Sequence, residues 1–540
     1  MRADILAGLT VGVMLIPQGM AYALVAGLPP IYGLYAGLAP LLIYSLFGTS
    51  RHLAVGPVAM ISLLVATSVA PLAGGDAARY LELAILLSLL SGGFLLAFGV
   101  LQAGFLASFL SHPVLTGFTG AAAIIIGSSQ LRHVLGVDLP SGEGAARTIW
   151  SAIGHIPEAN LFALAFAAGG ILILVLAKMS RKRLPGALIV VVAGTLLSWL
   201  FRDAISGLSL IGAIPAGLPA ASLPSLSAVD AKSLVPAALV IALVGYMESI
   251  AIAKSMAHRH GYRIDASGEL RALGLANIAG AFLQAFPTTG GLSRTAVNEQ
   301  AGARSNLAGI VAALVVVLVL LFLTASFYYL PKAVLGAIIL VAVAGLVDIR
   351  EFRRLWRVSK SEFGLAALTA AATLFMSVEA GILIGVVASL AIVVQRSSRP
   401  HTAVLGRLPG TSTFRNIARN TEAETIPEIL AYRIDASLYF ANIEFITDQV
   451  LELLKDAPGV RALVLDLYAV NRIDSTAEHG LEELIAVLAR RKVKTVFAGL
   501  KGPVRDTLEA AGMLASGEGP DSYADVQSAV NALTIAPLHS

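Results

Sequence analysis

The chain has 540 residues, 57% of them hydrophobic and 13% charged, with a net charge of +4 and a mean hydropathy of +0.80. Soluble domains carry about 25% charged residues, so this composition excludes an ordinary soluble protein over most of the length, and the small positive excess gives no footprint for nucleic acid. Cysteine is absent, which excludes disulfides and thiolate metal sites.

Apolar segments fall near 4–26, 31–47, 54–72, 80–101, 114–131, 160–178, 185–201, 233–256, 268–286, 292–301, 305–326, 331–347, 362–378 and 380–395, about fourteen in all. Runs such as "LFALAFAAGGILILVLA" and "LAGIVAALVVVLVLLFLTA" have the length of a membrane span, which takes roughly 20 apolar residues. The expected fold is a polytopic α-helical membrane protein. The first apolar run starts at Ile5 and continues too far to be a cleavable signal peptide, so it is read as the first span. It holds "LIPQGMAYALVAGLPP", where Pro17 is expected to break the helix and Gln18 to set an amide near mid-membrane. A plain kink, with Gln18 bonded to a neighbouring helix, is the alternative.

With the amino terminus in the cytoplasm, the inside loops collect Arg51; Lys178, Arg181, Lys182 and Arg183; Arg259, Arg263 and Arg271; and Arg350, Arg353, Arg354, Arg357 and Lys360. The opposite loops hold Asp76, Asp138, Glu143, Glu158, Asp203 and Asp230. This pattern satisfies the positive-inside rule, and an even number of crossings leaves the carboxyl terminus in the cytoplasm as well.

Near Arg396 the composition changes. "EILAYRIDASLYF", "VRALVLDLY" and "KTVFAGL" are expected strands, and "STAEHGLEELIAVLARRK" and "PVRDTLEAAGML" are expected helices. Alternation of this kind implies a small sheet covered by helices. The expected division is a transmembrane domain over 1–396, a linker over 397–411 and a cytoplasmic α/β domain over 412–540.

Two short interrupted segments, near Val55 and near Leu292, lie in the two halves of the membrane part. Short segments broken by Gly or Pro at matching places in two halves point to a transporter's binding site. "GPVAMISLL" opens a helix after a Gly-Pro pair, with Pro57 suited to the first turn, and "GGLSRTAVNE" does the same in the second half. If the two starts face each other, their positive ends and free N–H groups converge on an anion site. Arg294, just inside the second start, adds a charge that does not titrate. Unpaired in lipid it costs roughly 2.5–3.5 kcal/mol, which a bound anion or the carboxylate of Glu248 would offset; a purely structural salt bridge is the alternative. Glu248, in "IALVGYMESIAIAKSMA", is the one acid placed centrally in an apolar span. Such a carboxylate is a functional candidate by default, and since desolvation and a nearby cation act on it in opposite senses, it is expected to exchange protons near physiological pH.

Several stretches together resemble the sulfate permease family of anion transporters. They are "PQGMAYA", "PIYGLYAGLAPLLIYSLFGTSRHLAVGPVAMISLL", "SHPVLTGFTGAAAIIIGSSQL" and "ANIAGAFLQAFPTTGGLSRTAVNEQAGARSNLAGIV". The C-terminal unit resembles the STAS domain that usually closes such proteins. The resemblance implies a seven-plus-seven inverted repeat, with spans 1–4 and 8–11 as a moving core and 5–7 and 12–14 as a gate, and a homodimer that the STAS domain helps to join. It places an anion between the third and tenth spans. Carried over, the contributors are Gln18 and Tyr22 from the first span, Pro57, Val58 and Ala59 from the third, and Leu292, Ser293, Arg294 and Thr295 from the tenth. Sodium-coupled members have a hydroxyl one turn beyond the acid; here that position is Ile252, which favours protons over sodium at Glu248.

Ser475 follows Asp474 at a helix start and matches the phosphorylated serine of bacterial anti-sigma-factor antagonists, which the STAS unit resembles. Plain helix capping is the competing reading, and Thr476-Ala477 departs from the usual run there. The histidines lack metal spacing, and His112-Pro113 is given no chemistry. No G-x-x-x-x-G-K-[ST] loop and no nucleophile with its base is seen. The expectation is therefore no enzyme and no cofactor, but a secondary active transporter of a small anion in the plasma membrane. Sulfate, bicarbonate and dicarboxylates are the candidate cargoes, with coupling to a proton expected. The alternatives are a sodium-coupled bicarbonate carrier, an anion channel or exchanger, a membrane-tethered signalling scaffold, and a nucleobase carrier, which would set an acid in place of Arg294.

Overall fold

The computed structural model describes residues 1–105, 111–139, 144–180, 185–203, 205, 207–224, 227–514 and 520–535. Glu143, Arg181, Lys182 and Arg183, used above for orientation, lie outside the described residues. The chain divides into two compact units, Met1–Ser389 and Leu390–Ser540.

The first unit begins with α1 (Arg2–Val25), then α2 (Pro30–Ala36) and α3 (Ala39–Phe47), which together make the second span. A short strand β1 (Val55–Gly56) leads into α4 (Ala59–Ala73), followed by α5 (Ala77–Val100), α6 (His112–Leu135), the amphipathic α7 (Ala145–Gly154), α8 (Leu161–Met179) and α9 (Gly186–Leu200). The same order then repeats: α10 (Ala228–His260), α11 (Ala266–Phe282), the strand β2 (Thr289–Gly290) with α12 (Leu292–Gln300), α13 (Leu307–Leu318), α14 (Lys332–Ala344), the amphipathic α15 (Ile349–Val358), α16 (Lys360–Phe375) and α17 (Val378–Ser398). In each set the third span is a strand plus a half-helix and an amphipathic helix follows the fifth. Seven crossings per set start the second set on the opposite face, so the repeat is inverted. Among the described residues nine helical segments are long and apolar enough to cross a membrane; α4, α9, α11, α12 and α16 are the shorter members.

Packing separates two bundles. α1 lies on α13, α2 and α12, while α5 lies on α10 and α11; α6 packs on α14 and α16, and α8 on α9 and α14. Small residues permit the closest approach. A Cβ on Gly19 would sit 2.8 Å from the carbonyl oxygen of Gly33, so α1 and α2 touch backbone to backbone. α1 runs unbroken through Pro17, against the expected break. Neighbouring helices cover it on several sides, and loss of one backbone donor is tolerated in a packed membrane helix.

The C-terminal unit is a six-stranded mixed sheet in the order β4-β3-β5-β6-β7-β8, formed by β3 (Thr402–Arg407), β4 (Phe414–Asn416), β5 (Ile429–Ile434), β6 (Ala462–Asp466), β7 (Lys494–Ala498) and β8 (Ser522–Tyr523). β5 to β8 are parallel; β3 runs antiparallel to β4 and β5. The helices are α18 (Ile443–Asp456), α19 (Ser475–Arg490), α20 (Gly502–Ala510) and α21 (Val526–Ile535). α18, α19 and α20 pack their apolar stripes on one face, and Val526, Ala529, Val530 and Leu533 of α21 pack on the other. The stretch 397–411, expected as a linker, carries β3: Ala403 and Leu405 alternate into the core, and that two-residue period makes a strand.

Candidate functional site

Non-helical backbone at membrane depth is tolerated only where its polar groups find partners. β1 and β2 solve this by pairing antiparallel, Val55 with Gly290 and Gly56 with Thr289. The pairing is locked from several sides. Gly291 N–H donates to the Ala54 carbonyl at 3.0 Å, Gly290 N–H to Ser249 Oγ at 2.8 Å, and Asn298 Nδ2 to the His52 carbonyl at 2.9 Å. Asn277 of α11 closes the approach to β2, accepting from Thr288 N–H at 2.7 Å and donating to its carbonyl at 3.0 Å.

The pairing brings the amino-terminal ends of α4 and α12 together. Val58 and Gly291 are their N-cap residues, and neither helix has a side-chain cap, so their first N–H groups have no partner within the helix. Pro57 precedes the N-cap of α4 rather than standing in its first turn. Its carbonyl accepts a 2.7 Å hydrogen bond from Arg294 Nη1. Arg294 is only 2% exposed, yet its Nε and Nη2 have no hydrogen-bond partner among the described residues. Gln18 Oε1 and Glu248 Oε2 are unpartnered in the same way.

All three side chains line one cavity of about 530 Å³, together with Tyr22, Val58, Ala59, Leu292 and Ser293. Eight of the residues expected at the site, Glu248 included, therefore meet there. Two do not line it: Pro57 contributes through its carbonyl, and Thr295, fully buried, uses Oγ1 to accept from Ala54 N–H at 3.1 Å. Thr295 binds the two half-helices to each other because its place on α12 faces β1 and not the cavity. The alternative of a direct salt bridge between Glu248 and Arg294 is not formed: no hydrogen bond or ion pair joins the two side chains. The fixed positive charge is left facing the cavity.

Sequence reasoning missed the opposite wall, where α8, α9 and α14 contribute Lys178, Gly186, Ile338, Val341, Gly345 and Leu346. Lys178, Gly345 and Leu346 stand at helix ends, so the lining extends toward that face of the membrane. On the far side Glu379, in the first turn of α17, accepts from Thr67 Oγ1 at 3.0 Å and Ser68 Oγ at 2.7 Å, both on α4.

A second missed acid supports the site from behind. Glu269 is fully buried and accepts from Tyr44 Oη at 2.7 Å, Thr49 N–H at 2.7 Å, Thr49 Oγ1 at 2.6 Å and Ser50 N–H at 3.0 Å. It thus holds the turn that delivers β1. Glu269→Ala is expected to strand two backbone donors at about 1–3 kcal/mol each; a thermal melt of the purified protein equal to the parent's would contradict this. In the C-terminal unit the cap of α19 is Asp474, which accepts from Ala477 N–H at 2.8 Å and Phe440 N–H at 3.0 Å. Ser475 is the first helical residue and is exposed.

Comparison with known proteins agrees with this architecture. The family model described as Sulfate permease family matches residues 1–369, and that of the STAS domain matches 420–529. The chloroplastic Sulfate transporter 4.1 of Arabidopsis thaliana is 39% identical over 533 residues, 95% of this chain and 77% of its own length. A protein of Mycobacterium tuberculosis named a probable sulfate transporter is 38% identical over 515 residues, 95% of this chain and 92% of its own. Among solved structures, the murine Solute Carrier 26 family member A9 anion transporter in the inward-facing state superposes with a TM-score of 0.92 at 28% identity, covering 99% of this chain and 92% of that one. The transmembrane domain of a cyanobacterium bicarbonate transporter, BicA, shares the fold at a TM-score of 0.62 and 24% identity, covering 72% of this chain and 97% of that one.

Proposed function

The chain belongs to the sulfate permease family of anion transporters, and from that premise we propose that it is a secondary active carrier holding a small anion between the tips of α4 and α12. The observation that carries this is the guanidinium of Arg294, buried but with two nitrogens unpartnered at the wall of the shared cavity. Two uncapped helix ends and one fixed cation form a preorganised cradle for a compact anion. Sulfate leads the candidates, ahead of bicarbonate and small dicarboxylates: its tetrahedral oxygens suit convergent donors, and the curated relatives compared are named sulfate transporters. Gln18 and Tyr22 close the cradle from α1. Glu248 carries the coupling proton, and Ile252, one turn on, offers no oxygen for sodium.

The core bundle moves against the gate bundle to expose the site alternately. In the arrangement described here the cavity reaches the ends of α8 and α14, and the Glu379 contacts with Thr67 and Ser68 seal the other side. Glu379→Ala is therefore expected to shift the resting population toward the opposite opening. Faster labelling of a cysteine introduced beside Thr67 would report the shift, and unchanged labelling would count against the seal. We further place the chain in the plasma membrane as a homodimer with both termini cytoplasmic, on the side of the arginine-rich loops, with transport in 1–396 and regulation through Ser475 in the C-terminal domain.

The deciding experiment is uptake of labelled sulfate, bicarbonate, chloride and succinate into proteoliposomes, with proton and sodium gradients imposed in turn. Saturable accumulation of sulfate driven by protons is expected. Sodium-driven bicarbonate uptake, or flux that never exceeds its electrochemical equilibrium, would replace the proposal with a sodium-coupled carrier or a channel respectively.

A further inference from the structure

α15 and α7 occupy equivalent places, each following the fifth span of its set, and the inverted repeat puts them on opposite faces of the membrane. Both expose large apolar side chains. On α7 these are Trp150, 78% exposed, and Ile153, 56%; on α15 they are Ile349, 59%, Trp356, 52%, and Val358, 69%. A merely solvated helix would turn such residues inward, so both helices have the character of interfacial ones.

Their charges differ sharply. α7 carries one basic residue, Arg147, whereas α15 carries Arg350, Arg353, Arg354 and Arg357, with Lys360 just beyond its end. The fold therefore does not require the cations, since its counterpart does without them. Nor are most of them spent on the protein. Arg354 pairs with Glu351, which also meets the His112 ring at 3.0 Å, and this cluster with buried Leu355 fastens α15 to α6. Arg350, Arg353 and Arg357 make no ion pair among the described residues. At i, i+3 and i+7 they form a single stripe, next to the exposed Ile349 and Trp356. Lys360 Nζ lies 3.3 Å from the centre of the Trp356 ring.

We propose that α15 is a docking surface for anionic phospholipid: Ile349 and Trp356 enter the acyl boundary while Arg350, Arg353 and Arg357 hold the headgroup phosphates. The charge complementarity is direct. The positive-inside rule sets α15 against the cytoplasmic leaflet, which carries the acidic lipids, and guanidinium forks suit phosphate oxygens. α15 also links α14, which lines the cavity, to α16, so the lipid would anchor the gate bundle. This inference rests on orientation and not on the proposed cargo or coupling ion.

The chain has three tryptophans; with Trp150→Phe and Trp199→Phe, Trp356 becomes a lone fluorophore. The full chain is reconstituted in bilayers of one fixed phosphatidylcholine–phosphatidylglycerol ratio, with bromine carried at equal mole fraction on either the neutral or the acidic lipid. Acidic-lipid bromine is expected to quench Trp356 about threefold more than neutral-lipid bromine at low salt, from several charges near an acidic surface. The ratio should fall toward one at high salt and in R350Q/R353Q/R357Q. A ratio of one at low salt overturns the proposal, as does absence of quenching by either lipid, which would mean that protein or water covers the helix. If the triple variant fails to fold, the salt titration on the arginine-intact chain decides alone.

Discussion

Arg294→Ala is expected to weaken binding of the transported anion by roughly 30- to 5,000-fold, which is the loss of about 2–5 kcal/mol seen when one partner of a buried charged contact is truncated. Among the described residues the guanidinium makes one hydrogen bond, to the Pro57 carbonyl, and its Nε and Nη2 stand ready to serve a ligand. Removing the side chain leaves the β1–β2 pairing untouched, because Thr295, Asn298 and Gly291 hold that junction independently. The chain should therefore fold and melt close to the parent. Arg294→Lys should fall between the two: it keeps the charge and loses the planar fork. Isothermal titration with sulfate measures both variants, and parental affinity in Arg294→Ala would remove the central claim about the site.

Glu248→Gln is expected to abolish the response of uptake to an imposed proton gradient while preserving anion exchange at equilibrium. An amide keeps the size and polarity of the carboxyl but cannot take up or release a proton in this range. A gradient of one pH unit supplies about 1.4 kcal/mol per proton, so the parent should accumulate anion about tenfold more per unit of gradient, and the variant should show none of that gain. The absence of an ion pair with Arg294 makes this test clean, since neutralising Glu248 breaks no structural bridge. A variant that still concentrates anion in response to the proton gradient would move the coupling elsewhere.

Much of the site was legible because its features are expensive in lipid and so stand out in sequence. A lone arginine after Gly-Gly and a lone acid inside an apolar span are rare enough to read directly. The supporting acids were less visible. Glu269 lies in a helix with its own polar first turn, and Glu379 sits at a helix start where acids are ordinary; only their partners, Thr49 and Ser50 for one and Thr67 and Ser68 for the other, reveal what they do. Thr295 was legible as a neighbour of Arg294 but not as a strut, since side-chain direction on a short helix depends on what flanks it. In the C-terminal domain the strongly apolar strands β5, β6 and β7 and the helices α19 and α20 were readable. β3 was hidden in a stretch of weak alternation, and its place in the sheet comes from pairing with β5.

Hydrophobic length, loop charge and strand-helix alternation already determined a many-span membrane protein and its closing α/β domain, because water and hydrocarbon sort residues by local chemistry alone; the repeat came from the family resemblance. What only the tertiary structure decided is the meeting of β1 with β2, residues more than two hundred positions apart in the chain. A two-residue strand has no periodicity to read, and its partner is selected by the helices that bring it there. From that meeting follow the convergence of the two helix ends and the open donors of Arg294.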